Sequence, residues 1–304
     1  MTQSPPVILG EMPSLSKLYV NAAATAARRR VLGEQAATGL PETPHEVRGV
    51  LASVENLTAF QHLIGETASD ALPAGFVHAL AFPLAMSVMN RDDFPLPLLG
   101  MIHLANHVVQ SAPLYFTDPL DIRAWAENLR GHRSGTRLDL VTEVRRSGED
   151  AVSWRGVSSY LAKGVFLPGT DKPSGVPAPA GFAPPDPTAL WQLGVDTGRA
   201  YASVSGDFNP IHLSVLSAKA LGLRRSIAHG MYLASRALAD VGAAKGDAFS
   251  WDVAFEAPVF LPARVALDIS TVQGGDGAWS RSEFVAWSPH SGRRNFSGSV
   301  SSLA

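Results

Sequence analysis

The sequence contains no cysteine. Disulfides, thiolate nucleophiles, Cys-x-x-Cys redox motifs, iron–sulfur ligands and zinc fingers are thereby excluded. It has little excess of either charge: 25 Lys+Arg stand against 27 Asp+Glu, for a net charge of -2. Without basic runs the chain has no electrostatic footprint for nucleic acid or an anionic membrane, and neither is expected as a partner. No glycine-rich phosphate loop, Gly-x-Ser-x-Gly elbow or His-Glu-x-x-His motif occurs, so three common signatures of nucleotide, hydrolase and zinc-protease chemistry are missing. The opening residues, MTQSPPVILGEMPS, lack the basic segment and apolar stretch of a secretory leader. No signal peptide is expected, and the expected location is cytoplasmic. Long apolar runs are scarce too. The longest, residues 71–89, is interrupted by Pro73, Gly75, His78 and Pro83 and followed by Asn90-Arg91-Asp92-Asp93. It reads as a buried core helix rather than a membrane span.

What is present is ample apolar material, 46% of 304 residues, enough for a full core and of a length that suggests two domains. The clearest boundary is residues 163–187, KGVFLPGTDKPSGVPAPAGFAPPDP, with seven prolines. Such a segment resists helix and sheet and spans distance in an extended form. It divides the chain into 1–162 and 188–304. The two parts resemble each other weakly. VVQSAPLYFTDPLDI in the first and VAFEAPVFLPARVALDI in the second share Ala-Pro, apolar or aromatic positions, a further proline and a returning strand. The Ala-Pro pairs are Ala112-Pro113 and Ala257-Pro258. Upstream of each lies an apolar, helix-like segment, residues 76–89 and 227–241. Downstream come alternating segments at 137–144, 152–161, 279–287 and 295–303, with turn residues such as Gly274-Gly275-Asp276-Gly277 between. Alternation of period two indicates antiparallel strands. Each part therefore reads as one very apolar helix followed by an antiparallel sheet, an α+β arrangement in which the sheet encloses the helix.

The stretch 201–238, YASVSGDFNPIHLSVLSAKALGLRRSIAHGMYLASRAL, carries the chemistry. Ser205-Gly206-Asp207-Phe208-Asn209-Pro210 is rich in turn formers and reads as a loop. Asp207 and His212 are separated by a segment that Pro210 stiffens, so a carboxylate and an imidazole can point at one water. Histidine is the side chain best suited to exchange protons near neutral pH. Ile227-Ala228-His229-Gly230-Met231 leads into the second apolar helix. Gly230 near that helix start offers a backbone N–H for a developing oxyanion. An acid/base pair beside an oxyanion donor suits chemistry next to a carbonyl. Hydration or dehydration of an α,β-unsaturated acyl thioester fits it. Hydrolysis fits less well, because no nucleophile is obvious. Asp-x-Asn-Pro is also an ordinary turn, in which Asp207 would merely cap a helix.

This stretch resembles the signature of MaoC-like, (R)-specific enoyl-thioester hydratases. The matching residues are Tyr201, Ser205-Gly206-Asp207, Asn209-Pro210-Ile211-His212, Ala220, Gly222 and Ile227-Ala228-His229-Gly230-Met231, followed by Phe255, Pro258-Val259 and Pro262. The layout is similar to the double-hotdog members, particularly the actinobacterial fatty-acid dehydratases, and Phe94-Pro95, Leu99-Gly100-Met101-Ile102-His103 and Asn106-His107 resemble their N-terminal repeat. The resemblance implies a double hotdog, an antiparallel sheet wrapped around two central apolar helices. It implies reversible syn addition of water to a trans-2-enoyl thioester, giving the (3R)-3-hydroxyacyl thioester. Carried over by position, Asp207 and His212 hold and activate water and the Gly230 N–H binds the thioester oxygen. Asn209, Ser205, Ala228, His229 and Arg225 are the expected substrate-binding residues. Arg225, with Lys219 and Arg224, is placed to meet the phosphates of coenzyme A or of a carrier's phosphopantetheine.

The first part departs from the signature. It has no Asp-x-Asn-Pro-x-His, and by apolar pattern Phe82-Pro83 falls where His229-Gly230 falls, with a proline that has no N–H to donate. Residues 1–162 are therefore expected to be catalytically silent and to shape a tunnel for the acyl chain. The expected partner is an acyl-CoA or acyl carrier protein thioester as substrate, with a homodimer as the assembly. No cofactor and no metal are expected; His103 and His107 lack a nearby acidic ligand. The competing readings are a hotdog acyl-thioesterase and a non-catalytic acyl-thioester-binding partner.

Overall fold

The computed structural model describes residues 4–32, 37–170, 181–275 and 277–303. Part of the proline-rich segment, 171–180, and Asp276 of the glycine-rich turn lie outside the described residues. In chain order the first elements are β1 (Val7–Ile8), α1 (Leu15–Leu32), β2 (His45–Val50), α2 (Val54–Ile64), α3 (Ala74–Met89) and β3 (Met101–Gln110). Then come β4 (Leu120–His132), β5 (Gly135–Arg146), β6 (Trp154–Lys163), β7 (Ala189–Leu193), α4 (Thr197–Ser205), α5 (Pro210–Leu213) and α6 (Val215–Ala220). The chain closes with α7 (Gly230–Val241), a 3-10 turn at Ala243–Lys245, β8 (Phe249–Phe255), β9 (Ala263–Gln273), β10 (Trp279–Trp287) and β11 (Arg294–Ser302). The class is α+β, as the order of apolar helix before strands implies. Among the described residues no helix is long and apolar enough to cross a membrane.

Two compact units result. The first comprises Met1–Ala52, His78–Asn106 and Thr117–Ala178; the second comprises Ser53–Val77, His107–Phe116 and Pro179–Ala304. In the first, the strands run in the order β1-β2-β4-β5-β6, antiparallel except for β1 beside β2. The β4–β5 ladder slips between Glu127 and Arg130, where Asn128 takes φ 56°. That bulge lets Asn128 and Arg130 turn back onto Asp139 of β5, which also accepts from Ser159 of β6. The body of α3 is buried nearly all round: Ala81, Leu84, Met86, Val88 and Met89 are each at most 3% exposed. Such a helix survives only inside a shell of other elements. Here His78 of α3 faces Trp154 of β6 and His103 of β3, at 6.4 and 6.3 Å between ring centres. Ser87 of α3 holds Nδ1 of His45 on β2 at 2.7 Å. The Ser87 hydroxyl proton goes to the Leu84 carbonyl, so His45 is the donor in that bond.

In the second unit the strands run β8-β11-β10-β9-β7, all antiparallel. Helix α7 buries Met231, Tyr232, Leu233, Ala234, Ser235, Ala237 and Leu238. Its Asp240 accepts from the Trp191 indole of β7 at 3.0 Å, and Arg236 lies over the same ring. Phe60 of α2 packs against Phe76 at 5.4 Å and Tyr201 of α4 at 6.1 Å. Gly75, near the start of α3, lies so close to Ser235 of α7 that a Cβ there would collide with it.

The alternating segments are strands: 137–144 in β5, 152–161 largely in β6, 279–287 in β10 and 295–303 in β11. The apolar segments are α3 and α7. Helix α7 begins later than its apolar pattern, because Ile227 bridges to Phe260 and the Ala228 N–H donates to Val259 O. The expected match of Phe82-Pro83 to His229-Gly230 does not hold. Gly230 is the first residue of α7, whereas Pro83 lies in the interior of α3. An apolar pattern alone does not fix where each helix begins.

Candidate active site

Asp207 lies in the loop between α4 and α5, against the residue that precedes α7. Helix α4 ends where Gly206 turns left-handed at φ 73°, a conformation glycine adopts without a Cβ penalty, and its N–H closes onto Ala202 O. Ser205 Oγ donates to Tyr201 O at 2.8 Å and accepts from the Asp207 N–H at 3.3 Å. Asp207 Oδ1 accepts from the Asn209 N–H, and Asn209 Oδ1 caps α5 through the Ile211 N–H, with Pro210 in the first turn. Asp207 Oδ2 lies 3.7 Å from His229 Nε2. Gly198 permits the close packing of α4 on α5, since a Cβ there would strike the His212 carbonyl.

His212 is buried on α5, and its Nδ1 lies 2.8 Å from Ile227 O. The partner is a carbonyl, so Nδ1 carries the hydrogen and Nε2 is left as the basic nitrogen of the neutral ring. Ile227 is itself fixed, because its N–H donates to Ile211 O. His229 Nε2 lies 3.0 Å from the Asp207 main-chain carbonyl and 3.7 Å from Asp207 Oδ2, so Nε2 carries its hydrogen. The two imidazoles stack at 3.6 Å with 25° between their planes, and the Tyr201 ring closes on His229 at 4.8 Å. One donor atom each from Asp207, His212 and His229 lies within 4.8 Å of the other two. Two hydrogen bonds of about 2.8 Å meeting at one water separate their outer ends by roughly 4.5 Å, so one water can bridge such a pair.

Burial sets the protonation. It lowers the His212 pKa, against opposing contributions from the Asp207 charge and the bond to Ile227. It lowers His229 well below the usual range, with the neighbouring His212 acting in the same sense. Both rings are neutral near pH 7.

Gly230 opens α7, and His229 before it makes no side-chain cap. The first-turn N–H groups of a helix have no intrahelical acceptors and carry its positive end. A side chain at Gly230 would be crowded: its Cβ would lie 3.0–3.3 Å from the Phe255 ring, which would have to give by a few tenths of an ångström.

The sequence-derived residues thus fall into two groups. Asp207, His212 and His229 come together. Ser205 and Asn209 spend their side chains on the loop's own backbone, and Ala228 is buried with its N–H on Val259 O. Arg225 and Lys219 are exposed, and the Arg224 guanidinium lies over Phe260 at 4.1 Å. The Ile227 carbonyl that orients His212 left no trace in the sequence, because any residue supplies a carbonyl. The His229–His212 stack was equally hidden, although His229 itself stood out beside Gly230.

The MaoC-like domain family matches residues 179–287. Over a longer span, the chain is 37% identical to 3-hydroxyacyl-thioester dehydratase X of Mycobacterium tuberculosis, across 241 residues, 79% of this chain and 83% of that protein. The chain belongs to the MaoC-like dehydratase family. A crystal structure of the same mycobacterial dehydratase superposes with a TM-score of 0.73 at 32% identity, covering 86% of this chain and 100% of that one. A second M. tuberculosis protein, described as a double hotdog, is 15% identical and shares the fold, with a TM-score of 0.53 over 84% of this chain and 93% of its own. This MaoC-like chain is a double hotdog.

Asp207, His212 and His229 of the MaoC-like site are also a donor set that can converge on a metal ion. His212 Nδ1 and His229 Nε2 are each committed to a carbonyl oxygen, so a cation could take His212 Nε2 without rearrangement but not His229 Nε2.

Proposed function

We propose that the chain catalyses the reversible hydration of trans-2-enoyl thioesters to (3R)-3-hydroxyacyl thioesters, with Asp207 and His212 handling the proton. The observation that carries this is the approach of the Asp207 carboxylate to within 4.8 Å of the neutral His212 ring, whose Nδ1–H is held by Ile227 O. Membership of the MaoC-like family and the likeness to a 3-hydroxyacyl-thioester dehydratase support a hydro-lyase acting on acyl thioesters.

In the hydration direction, water held between Asp207 and His212 Nε2 attacks C3. Its O–H bond breaks and the proton passes to the pair, while the C2=C3 electrons move onto the thioester oxygen. The Gly230 N–H, at the positive end of α7, stabilises that enolate oxygen. C2 then takes a proton from the pair on the same face, which makes the addition syn. Dehydration runs the same steps in reverse. The two groups share the proton as a coupled unit, so acid and base are not divided between them. The sequence of residues 1–162 has no Asp-x-Asn-Pro-x-His, and we assign them no chemistry.

The test is to follow loss of the conjugated enoyl-thioester absorbance with trans-2-enoyl-CoA of short and long chain, and to determine product chirality. A (3R) product is expected. Release of free thiol instead would make the chain a thioesterase.

A further inference from the structure

Arg123 stands between two carboxylates and pairs with neither. On β4 it lies opposite Glu46 of β2 on one side and Glu143 of β5 on the other, in register across the sheet of the first unit. Opposite charges placed this way ordinarily attract each other across a sheet. Here both acids are taken by other arginines: Glu46 by Arg48 at 2.5 Å, and Glu143 by Arg145 at 2.6 Å and Arg155 at 3.6 Å. Asp121, two residues before Arg123, accepts from the Gly49 N–H at 3.0 Å and the Ser147 hydroxyl at 2.6 Å. The Arg123 guanidinium is left with no ion pair among the described residues, and its Nε is buried without a hydrogen-bond partner. A buried N–H with no acceptor is costly, and folds keep few of them. Arg123 lines a pocket of about 270 Å³ together with Glu46, Arg48, Asp121, Arg145 and Asp150. Beside it the β2–β4 ladder slips between Val47 and Val50, with Gly49 at φ 67° and nothing within 4 Å of where its Cβ would be. Bulges of this kind re-aim side chains and recur beside binding sites. Asp150, in the turn after β5, is the complement of Arg123. Its main-chain carbonyl takes the Arg145 Nε–H at 3.1 Å, but its exposed carboxylate makes no hydrogen bond or ion pair among the described residues.

We propose that this pocket binds a small zwitterion, with the ligand's carboxylate or phosphate on Arg123 and its ammonium on Asp150. The site lies wholly within the first unit and is independent of the hydratase reading. Its lining carries three guanidinium groups and three carboxylates. A bare anion is attracted by the first set and repelled by the second, and a bare cation the reverse. A molecule with both charges satisfies the two groups that the fold leaves uncommitted. The guanidinium fork suits an oxyanion held by two parallel N–H bonds, and a carboxylate accepts readily from a primary ammonium. The volume lies just below the usual range of ligand pockets, so it suits a molecule the size of an amino acid and not an acyl thioester.

The experiment titrates zwitterions into the full chain by calorimetry at low ionic strength, where exposed charges are least screened. The probes are ω-amino carboxylates of increasing length, from glycine to aminohexanoate, and phosphoethanolamine. Propanoate, inorganic phosphate and propylamine are the controls that lack one of the two charges. A saturable site with a preferred ligand length is expected, with each control weaker by about tenfold or more. Whichever of the carboxylates and phosphoethanolamine binds more tightly names the anionic group. Arg123→Gln and Asp150→Asn should each weaken the preferred zwitterion by about tenfold or more. Asp150 is exposed, so its variant is expected to melt like the parent and decides the matter even if Arg123→Gln fails to fold. Absence of saturable binding by every zwitterion would overturn the proposal. So would equal affinity for propanoate or inorganic phosphate, which would make the pocket a bare anion site. So would an affinity that Asp150→Asn leaves unchanged. If the parent binds the zwitterion through Asp150 but turns over no enoyl thioester, the pocket stands and the hydratase reading falls.

Discussion

The His212 ring lies flat on that of His229, 3.6 Å away, and each ring hands one N–H to a main-chain carbonyl, Ile227 O for the first and Asp207 O for the second. The stack therefore connects helix α5, the Asp207 loop and the start of α7. Neither ring can rotate without giving up its hydrogen bond to a part-buried main-chain carbonyl.

Removing either member of the proton-handling pair should abolish most of the activity. Asp207→Asn and His212→Ala are each expected to lower kcat by about 10²-fold or more. Their melting temperatures should stay near the parent's. Near-parental kcat in either variant would take that residue out of the mechanism.

His229 contacts Asp207 O and the His212 ring, and a positioning role for it can be tested. His229→Phe keeps an aromatic ring against His212 but loses the N–H that Asp207 O accepts. A drop in kcat of about tenfold is expected, with KM within about twofold, and His229→Gln should recover part of it by restoring a donor. A variant that lost stability in step with activity would instead mark a purely structural ring.

Gly230 can be tested by a pair of substitutions. Both Ala and Pro add a Cβ against the Phe255 ring, but only Pro removes the N–H, and proline is well tolerated at the first position of a helix. Gly230→Pro should be slower than Gly230→Ala by about 10²-fold in kcat if the N–H stabilises the enolate oxygen. Equal rates in the two variants would assign the loss to crowding by Phe255.

The pH behaviour follows from burial. His212 is lowered, so the neutral, competent ring persists below pH 6.5, and the acid limb of the hydration rate should fall below the ordinary histidine range. Stability has the opposite sensitivity. Burial pushes His78 down to about 4 and His103, with His78 beside it, to about 3. In the unfolded chain these groups take up protons near pH 6.5, while the folded chain does not. The stabilisation present above that pH is lost as pH falls toward 4, at up to about 1.4 kcal/mol per pH unit for each such histidine. Thermal melts between pH 7 and 5 should show the decline. His78→Leu should flatten it, and an unchanged slope would mean that His78 is already protonated in the fold.

Much was legible in the order of residues, because helices, strands and turns are set by neighbours along the chain. The apolar run became α3, the alternating stretches became β5, β6, β10 and β11, and the turn-rich Ser205–Pro210 segment became the loop that presents Asp207. The short spacing of Asp207 and His212 marked the candidate site, and the structure brings the two within 4.8 Å of each other and of His229. The rest was decided by contacts between distant positions. His103 and His107 lie on strand β3, where His103 stacks on Tyr160 and His107 pairs with Asp252 at 2.7 Å, partners contributed by other strands. Helix α2, from the first part of the chain, packs with α4 in the unit that holds the candidate site. The starting point of α7 was set by Val259 and Phe260 pairing with the residues before it, and the proton on His212 by a carbonyl fifteen residues away. Hydropathy and turn propensity are local and additive along the chain, so a sequence displays them. Which face meets which, which ring loses its water and which nitrogen keeps its hydrogen depend on groups brought together only by folding.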